Sequence, residues 1–287
     1  MNNIKKELSW AIELLRNAGI NTAQLDTEVL LAYVLNIDRV SLYLNQEIVL
    51  DIEKVNRFKS LIERRLTHTP ISYLTGHKEF MSLDFKVNEN VLIPRPETEI
   101  LTEYVIESYI NHSEILEIGT GSGVIAISIA KYKQNASVLA TDLSINALIL
   151  ARENAVINGV EKRISFVQTD LFDAISMDYK FNWIVSNPPY VPTHDIEKLS
   201  KEIKYEPVMA LDGGKDGLNI IRKIICNAYK FLAPNGRLAI EIGYGQSEAV
   251  LKIAKEIGKY SDYSFINDYA GIPRVFCCSK YKEVSNG

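Results

Sequence analysis

Two short runs carry residue types that can do chemistry. The first is Asn187-Pro188-Pro189-Tyr190. The Asn187 side-chain oxygen and the Pro188 carbonyl are both hydrogen-bond acceptors, so together they can take both hydrogens of one NH₂ group. Paired prolines stiffen the loop, because each fixes φ and neither offers a competing N–H. Tyr190 can stack over a planar amide or a base. An NH₂ held this way turns its nitrogen toward an electrophile such as an activated methyl. A proline turn with an Asx cap is the plainer reading of the same residues, and placement argues against it. The run directly follows Trp183-Ile184-Val185-Ser186, which reads as a buried strand. Open α/β sheets bind ligands beyond the carboxyl ends of their strands.

The second run is Glu117-Ile118-Gly119-Thr120-Gly121-Ser122-Gly123, which follows one expected strand and opens a helix. Glycines there let the backbone turn tightly and let a ligand approach with no Cβ in the way. Asp142 ends the next strand, about twenty residues on, where a carboxylate can accept hydrogen bonds from both ribose hydroxyls. An aspartate at that place equally suits a helix cap, but the two features together favour a nucleoside cofactor. Gly121-Ser122-Gly123-Val124-Ile125-Ala126 also satisfies G-x-G-x-x-A, so the loop alone leaves NAD open. Two features favour S-adenosylmethionine. An acid at Glu117 suits a cofactor carrying an amino group and a sulfonium, and an NH₂-gripping loop makes little sense for hydride transfer.

Other chemistries read weakly. His68, His77, His112 and His194 show no paired ligand spacing, so no metal is expected. Gly121-Ser122-Gly123 is not a nucleophile elbow, which would need glycines at Thr120 and Val124. Arg64 and Arg65 read as a solvated helix end, where cations favour the dipole.

The elements that must position these runs fall into three segments: helices over 1–75, a β-hairpin linker over 76–94, and alternating strands and helices over 95–287. Ile4, Leu8, Ile12 and Leu15 recur at helical spacing up to Gly19, Thr22 can cap a second helix, and Asp51 a third carrying Val55, Phe58, Leu61 and Ile62. Phe80, Leu83, Phe85 and Val87 suggest the hairpin, and Pro96 a helix start. Strands are expected over 115–118, 137–141, 164–168, 183–185 and 237–242, and helices over 124–130, from Ser144, over 217–232 and over 246–257. A closing antiparallel pair is expected near 263–266 and 275–278. Such alternation implies an α/β fold, a mostly parallel sheet with helices on both faces.

The 287 residues carry a formal charge of −4, which argues against nucleic acid as the main partner because phosphate neutralisation supplies most of such affinity. Three cysteines, two of them adjacent, offer no disulfide framework and point to a reducing, cytoplasmic compartment. The amphipathic start is not that of a signal peptide, and no apolar run reaches membrane-spanning length.

With both runs in hand, the chain resembles the glutamine methyltransferase family that modifies peptide-chain release factors, over nearly its whole length. More specific than the two runs are Ile93-Pro94-Arg95-Pro96-Glu97-Thr98-Glu99, Tyr205-Glu206-Pro207 with Ala210-Leu211-Asp212-Gly213-Gly214 and Asp216-Gly217-Leu218, and Pro70-Ile71-Ser72-Tyr73-Leu74-Thr75-Gly76. Leu25-Asp26-Thr27-Glu28-Val29-Leu30-Leu31 also fits. The resemblance implies a seven-stranded class I (Rossmann-like) methyltransferase sheet after a helical docking domain. It implies S-adenosylmethionine as donor, S-adenosylhomocysteine as product, and as substrate the glutamine of the Gly-Gly-Gln loop in class 1 release factors. It assigns the cofactor to Glu117, Gly119, Thr120, Gly121, Ser122, Gly123, Asp142, Leu171 and Asn187, with Phe172 beside Leu171. Leu171 stands where tryptophan is frequent in the family. Asn187, Pro188, Pro189 and Tyr190 would bind substrate, with Asn187, Pro188 and Tyr190 catalytic. An adenine amino-methyltransferase and a ribosomal-protein glutamine methyltransferase would share the Asn187–Tyr190 run and are the alternatives.

Overall fold

Side-chain caps start three of the helices that open the chain. In a computed structural model, which describes residues 2–281, these are α1 (Ile4–Asn17), α2 (Ala23–Leu35), α3 (Arg39–Leu44), α4 (Ile52–Leu66) and α5 (Ile71–Thr75). Asn3, Asp38 and Asp51 accept from the backbone N–H groups of Lys6, Ser41 and Lys54 at 3.0, 2.8 and 2.8 Å, satisfying donors that a helix start leaves orphaned. Thr22 precedes α2 but makes no side-chain cap, because its hydroxyl donates to Asp26 at 2.7 Å. Leu15, Leu30, Leu31, Phe58 and Ile62 form the core of this unit. Arg65, expected on a solvated helix end, is instead buried, with Nε donating to Asp26 at 2.8 Å and Nη2 to Glu202. Residues Ser200–Tyr205 belong with this unit, which otherwise ends at His77.

The second unit comprises Lys78–Leu199 and the chain from Glu206 onward. Strands β1 (His77–Phe80) and β2 (Leu83–Lys86) form the hairpin. It is not a free-standing linker, since Phe80 and Phe85 are buried in the core of the sheet unit, edge to face at 6.2 Å. Asn154 fastens it there, accepting from the Lys86 N–H and donating to the Lys86 and Ser122 carbonyls.

Next come α6 (Pro96–Glu107), β3 (Glu114–Ile118), α7 (Val124–Tyr132), β4 (Ser137–Asp142), α8 (Ile145–Ile157), β5 (Ile164–Gln168) and β6 (Phe181–Ser186). The chain closes with α9 (Asn219–Phe231), β7 (Leu232–Glu241), α10 (Ser247–Ile257), β8 (Tyr260–Asn267) and β9 (Pro273–Lys280). The seven strands lie in the order β5-β4-β3-β6-β7-β9-β8, and only β9 runs antiparallel to its neighbours. The chain steps outward from β3 through β4 to β5, then returns to lay β6 on the other side of β3. That reversal opens a crevice at the carboxyl ends of β3 and β6, the place where open α/β sheets bind ligands. The fold is thus the expected α/β sheet with one antiparallel strand near its edge. No described helix is long and apolar enough to cross a membrane.

Candidate active site

A cavity of about 520 Å³ lies in that crevice, within the size range of small-molecule sites. Its wall is drawn from the turn after β3, the end of β4, the loop after β5 and the loop after β6.

The turn after β3 is held by its own backbone. The N–H groups of Gly119 and Thr120 both donate to the Thr141 carbonyl at 2.9 Å. Gly123 sits at φ +85, where L side chains are strained, and an added Cβ would meet Ile127 Cδ1 at 2.8 Å. Only glycine lets α7 start this close to α8. Asp142 uses one oxygen on the Gly121 N–H (2.9 Å) and the other on the Ser144 N–H (2.8 Å). Each carboxylate oxygen keeps a lone pair for a further donor, and burial raises the Asp142 carboxyl above its ordinary range.

Glu117 is 1% exposed at the end of β3. Its Oε2 accepts from the Thr120 hydroxyl at 2.6 Å and the Ala126 N–H at 3.1 Å, while Oε1 has no hydrogen-bond partner among the described residues. Burial pushes this carboxyl up to about 8. An unpartnered buried oxygen on a cavity wall fits a donor group on a cationic ligand, which restores the hydrogen bond that burial removed. The residues present therefore fit an S-adenosylmethionine-type cofactor.

On the opposite side, Asn187, Pro188 and Pro189 line the cavity. Asn187 Nδ2 donates to Thr98 Oγ1 at 2.9 Å, and the Thr98 hydroxyl donates to Glu241 Oε2 at 2.7 Å. Tyr190 stands outside the cavity wall. Its hydroxyl donates to Glu241 Oε1 at 3.2 Å and its side chain packs against the apolar core of the sheet unit, whereas it was expected to stack on an amide. Burial and the neighbouring carboxylate hold the Tyr190 hydroxyl above its ordinary range, and burial pushes the Glu241 carboxyl up to about 7.

Leu171, at φ +49, lines the cavity. Phe172 does not; it is buried in the core and stacks on Phe231 at 4.7 Å. Of the expected residues, Glu117, Gly119, Thr120, Gly121, Ser122, Asp142, Leu171, Asn187, Pro188 and Pro189 share the cavity. Gly123 lies just behind it as the first residue of the α7 approach.

Three residues with evident roles are absent from the expected site, although Thr98 and Glu206 lie in runs that carry the family resemblance. Thr98 and Glu241 form the relay behind Asn187. Glu206 is buried, accepts from the Ile93 N–H at 3.1 Å and from Arg95 Nη2 at 2.6 Å, and so ties the two loops that bound the cavity beside Thr98. An acid within the apolar run Leu238-Ala239-Ile240-Glu241-Ile242 was the one available signal for Glu241.

The PrmC N-terminal domain family matches residues 7–76, and the methyltransferase small domain family matches 96–211. A release factor glutamine methyltransferase of Moorella thermoacetica is 40% identical over 282 residues, covering 98% of this chain and 99% of that protein. One of Thermodesulfovibrio yellowstonii is 42% identical over 265 residues, covering 90% and 93%. Among solved structures, a methyltransferase from Pyrococcus furiosus superposes with a TM-score of 0.52 at 23% identity, over 71% of this chain and 91% of that one. That last likeness concerns the fold.

Proposed function

This chain belongs to the release factor glutamine methyltransferase family, and we propose that it methylates the side-chain amide nitrogen of the Gly-Gly-Gln glutamine in class 1 release factors. The donor is S-adenosylmethionine. The observation that carries the reading is the Asn187 amide: Nδ2 is spent on Thr98, while Oδ1 accepts no hydrogen bond among the described residues. An acceptor left free on a cavity wall, beside the Pro188 carbonyl, is what a planar NH₂ requires. The names of the relatives favour a release factor over adenine or a ribosomal protein as bearer of that NH₂.

Glu117, Thr120, Ser122, Asp142 and Leu171 are the residues that would hold the cofactor, which supplies an electrophilic methyl on a sulfonium. An amide nitrogen is a poor nucleophile because its lone pair is delocalised into the carbonyl. Asn187 Oδ1 and the Pro188 carbonyl accept its two N–H bonds and fix the plane of the amide, so alignment removes much of the entropic barrier. As the nitrogen takes the methyl, whose bond to sulfur would break, it gains positive character and its hydrogens become stronger donors; one of them then leaves as a proton. The two acceptors therefore bind the transition state more tightly than the ground state. Pro188 and Pro189 keep those acceptors in place, and Tyr190 anchors the loop through Glu241.

The helical segment 1–75 serves to dock the protein substrate, and 95–287, with the hairpin of 76–94, performs the transfer. We place the enzyme in the cytoplasm, in keeping with three free cysteines.

The test is transfer of labelled methyl to purified, unmodified release factor, followed by peptide mapping. Label on the Gly-Gly-Gln glutamine is expected, and Asn187→Ala should lower kcat on the order of 10²–10³-fold, as losing one preorganised partner does. Label only on nucleic acid or on a ribosomal protein would overturn the substrate. An Asn187→Ala variant with near-normal turnover would overturn the site.

A further inference from the structure

Asn187 can serve only one way round. Its amide oxygen and nitrogen are nearly equal in size, and half a turn about the last side-chain bond exchanges them. With Oδ1 toward the substrate nitrogen, an acceptor meets N–H. Flipped, the site would set N–H against N–H, which repels. The shape of the pocket cannot discriminate between these states, so something polar must.

The relay behind Asn187 has a built-in direction. A threonine hydroxyl owns one hydrogen, and an ionised carboxylate only accepts. Because the Thr98 hydrogen is committed to Glu241 Oε2, Thr98 Oγ1 has only a lone pair left to offer Asn187. That lone pair selects Nδ2 and turns Oδ1 toward the cavity. The second Glu241 oxygen is taken by the Tyr190 hydroxyl, so the carboxylate is held from both sides. Thr98 is 2% and Glu241 1% exposed, so bulk water does not compete for either bond.

We infer that Thr98 and Glu241 are positioning residues that set the Asn187 amide with its oxygen toward the substrate nitrogen. The inference rests on the reading of Asn187 given above. Neither residue needs to touch the reacting atoms.

The direction depends on the charge of Glu241. Once protonated, Glu241 can donate to Thr98, which frees the Thr98 hydrogen for Asn187 Oδ1 and removes the preference. The charged and titratable groups around it are Glu97 at the start of α6, Tyr190 on the loop after β6, and Arg274 on β9, itself paired with Asp268 at 2.9 Å. Glu97 raises the carboxyl and Arg274 lowers it, against the larger effect of burial. Turnover should therefore fall as the pH drops through about 7, where that carboxyl takes up its proton.

The experiment is steady-state kinetics on variants, with S-adenosylmethionine binding measured separately by calorimetry. Thr98→Val keeps the shape and removes both hydrogen bonds, whereas Thr98→Ser keeps them. Thr98→Val is expected to lower kcat about tenfold to a hundredfold, somewhat less than loss of Asn187 itself, with the cofactor Kd within about twofold of wild type. Thr98→Ser should return kcat to within about threefold of wild type, since it restores both bonds. Glu241→Gln, whose amide can either donate to or accept from Thr98, should lower kcat and flatten the acid limb of the pH profile.

A folded, cofactor-binding Thr98→Val enzyme with wild-type kcat would overturn the inference. So would a serine variant as impaired as the valine one. If Thr98→Val does not fold, Glu241→Gln decides: an unchanged kcat and acid limb overturns the inference, and loss of both supports it. Asn187→Ala separates the two levels. An inactive Asn187→Ala beside an active Thr98→Val removes only the positioning role, whereas an active Asn187→Ala removes the reading beneath it.

Discussion

Glu117 spends one carboxylate oxygen on Thr120 and Ala126 and leaves the other unpartnered in a buried cavity wall. Its carboxyl, pushed up to about 8 by burial, is largely protonated at neutral pH until a cation approaches. A positively charged donor should favour the ionised form, so binding and ionisation are linked. The Kd for S-adenosylmethionine should tighten as pH rises from about 6 to 9. Glu117→Gln, which cannot ionise, should bind like wild type at the acid end, fall behind at the alkaline end, and lose that part of the slope. Titrations of the ligand itself are common to both proteins and cancel in the comparison. Equal slopes in calorimetric titrations would take Glu117 out of contact with the cofactor. Residues of this kind are legible in a sequence because the strand end and the glycines that expose it are neighbours. The roles of Thr98 and Glu241 are not: Thr98 lies in a run that carries the resemblance, but its partners Asn187 and Glu241 are 89 and 143 residues away, a separation no local pattern reads. Leu171 and Phe172 illustrate the limit within a single pair, since adjacent side chains diverge and the aromatic one goes to the core.

At the scale of elements, the loop after β6 is held mainly from its far side. Gln246 accepts from the Gly243 N–H at 2.8 Å and donates to the Tyr190 carbonyl at 3.0 Å and the Gly217 carbonyl at 3.3 Å. Both ends of the β6–α9 connection and the loop after β7 are thereby fastened to the residue before α10. Gly217 lies against this clamp at φ +73, and an added Cβ would meet the Tyr190 carbonyl oxygen at 2.3 Å. Gly217→Ala must displace either that carbonyl or its own backbone, and strain at such a position costs about 1–3 kcal/mol. The expected outcome is a modest fall in Tm with a larger fall in kcat, because the displaced loop carries Asn187 and Pro188. A variant with wild-type kcat in the methyl-transfer assay would show that the loop does not transmit this contact. Of the elements, every strand of the large sheet was legible, since buried strands write themselves as apolar runs bounded by turns. The helices α3 and α5 were not, having six and five residues, too few to show a helical period. Nor was the stretch between β6 and α9, built of 3₁₀ turns at Thr193–Lys198, Ile203–Tyr205 and Val208–Ala210. It is held by contacts with distant residues and has no periodic pattern of its own.

At the scale of the whole molecule, several acids are buried where the sheet unit builds its cavity. Burial raises the carboxyls of Glu117, Asp142, Glu206 and Glu241, with Glu117 reaching about 8 and Glu241 about 7. In the unfolded chain the same groups release their protons near the ordinary carboxylate range, about 4 to 4.5. Between the two limits the folded state holds protons that the unfolded state has lost. The stability these groups contribute is therefore complete below about pH 4 and is lost progressively as pH rises to about 8. One fully shifted group changes stability by about 1.4 kcal/mol per pH unit across its own window, so the loss deepens with each pH unit and with each group involved. Urea titrations at pH 5.5, 7 and 8.5 should show the midpoint falling. Glu117→Gln and Glu241→Gln should each flatten that fall and stand above wild type at pH 8.5. The demand for an ionised Glu241 behind Asn187 and an ionised Glu117 toward a cationic donor is thus met at a cost in stability that grows with pH. Saturating S-adenosylmethionine should recover more stability at pH 8.5 than at 5.5, because a ligand that binds the folded state stabilises it in proportion to the logarithm of its affinity. A wild-type midpoint that stays level or rises over this range, with both glutamine variants parallel to it, would mean that neither carboxyl is strained by burial. The pH dependence of turnover would then need another source.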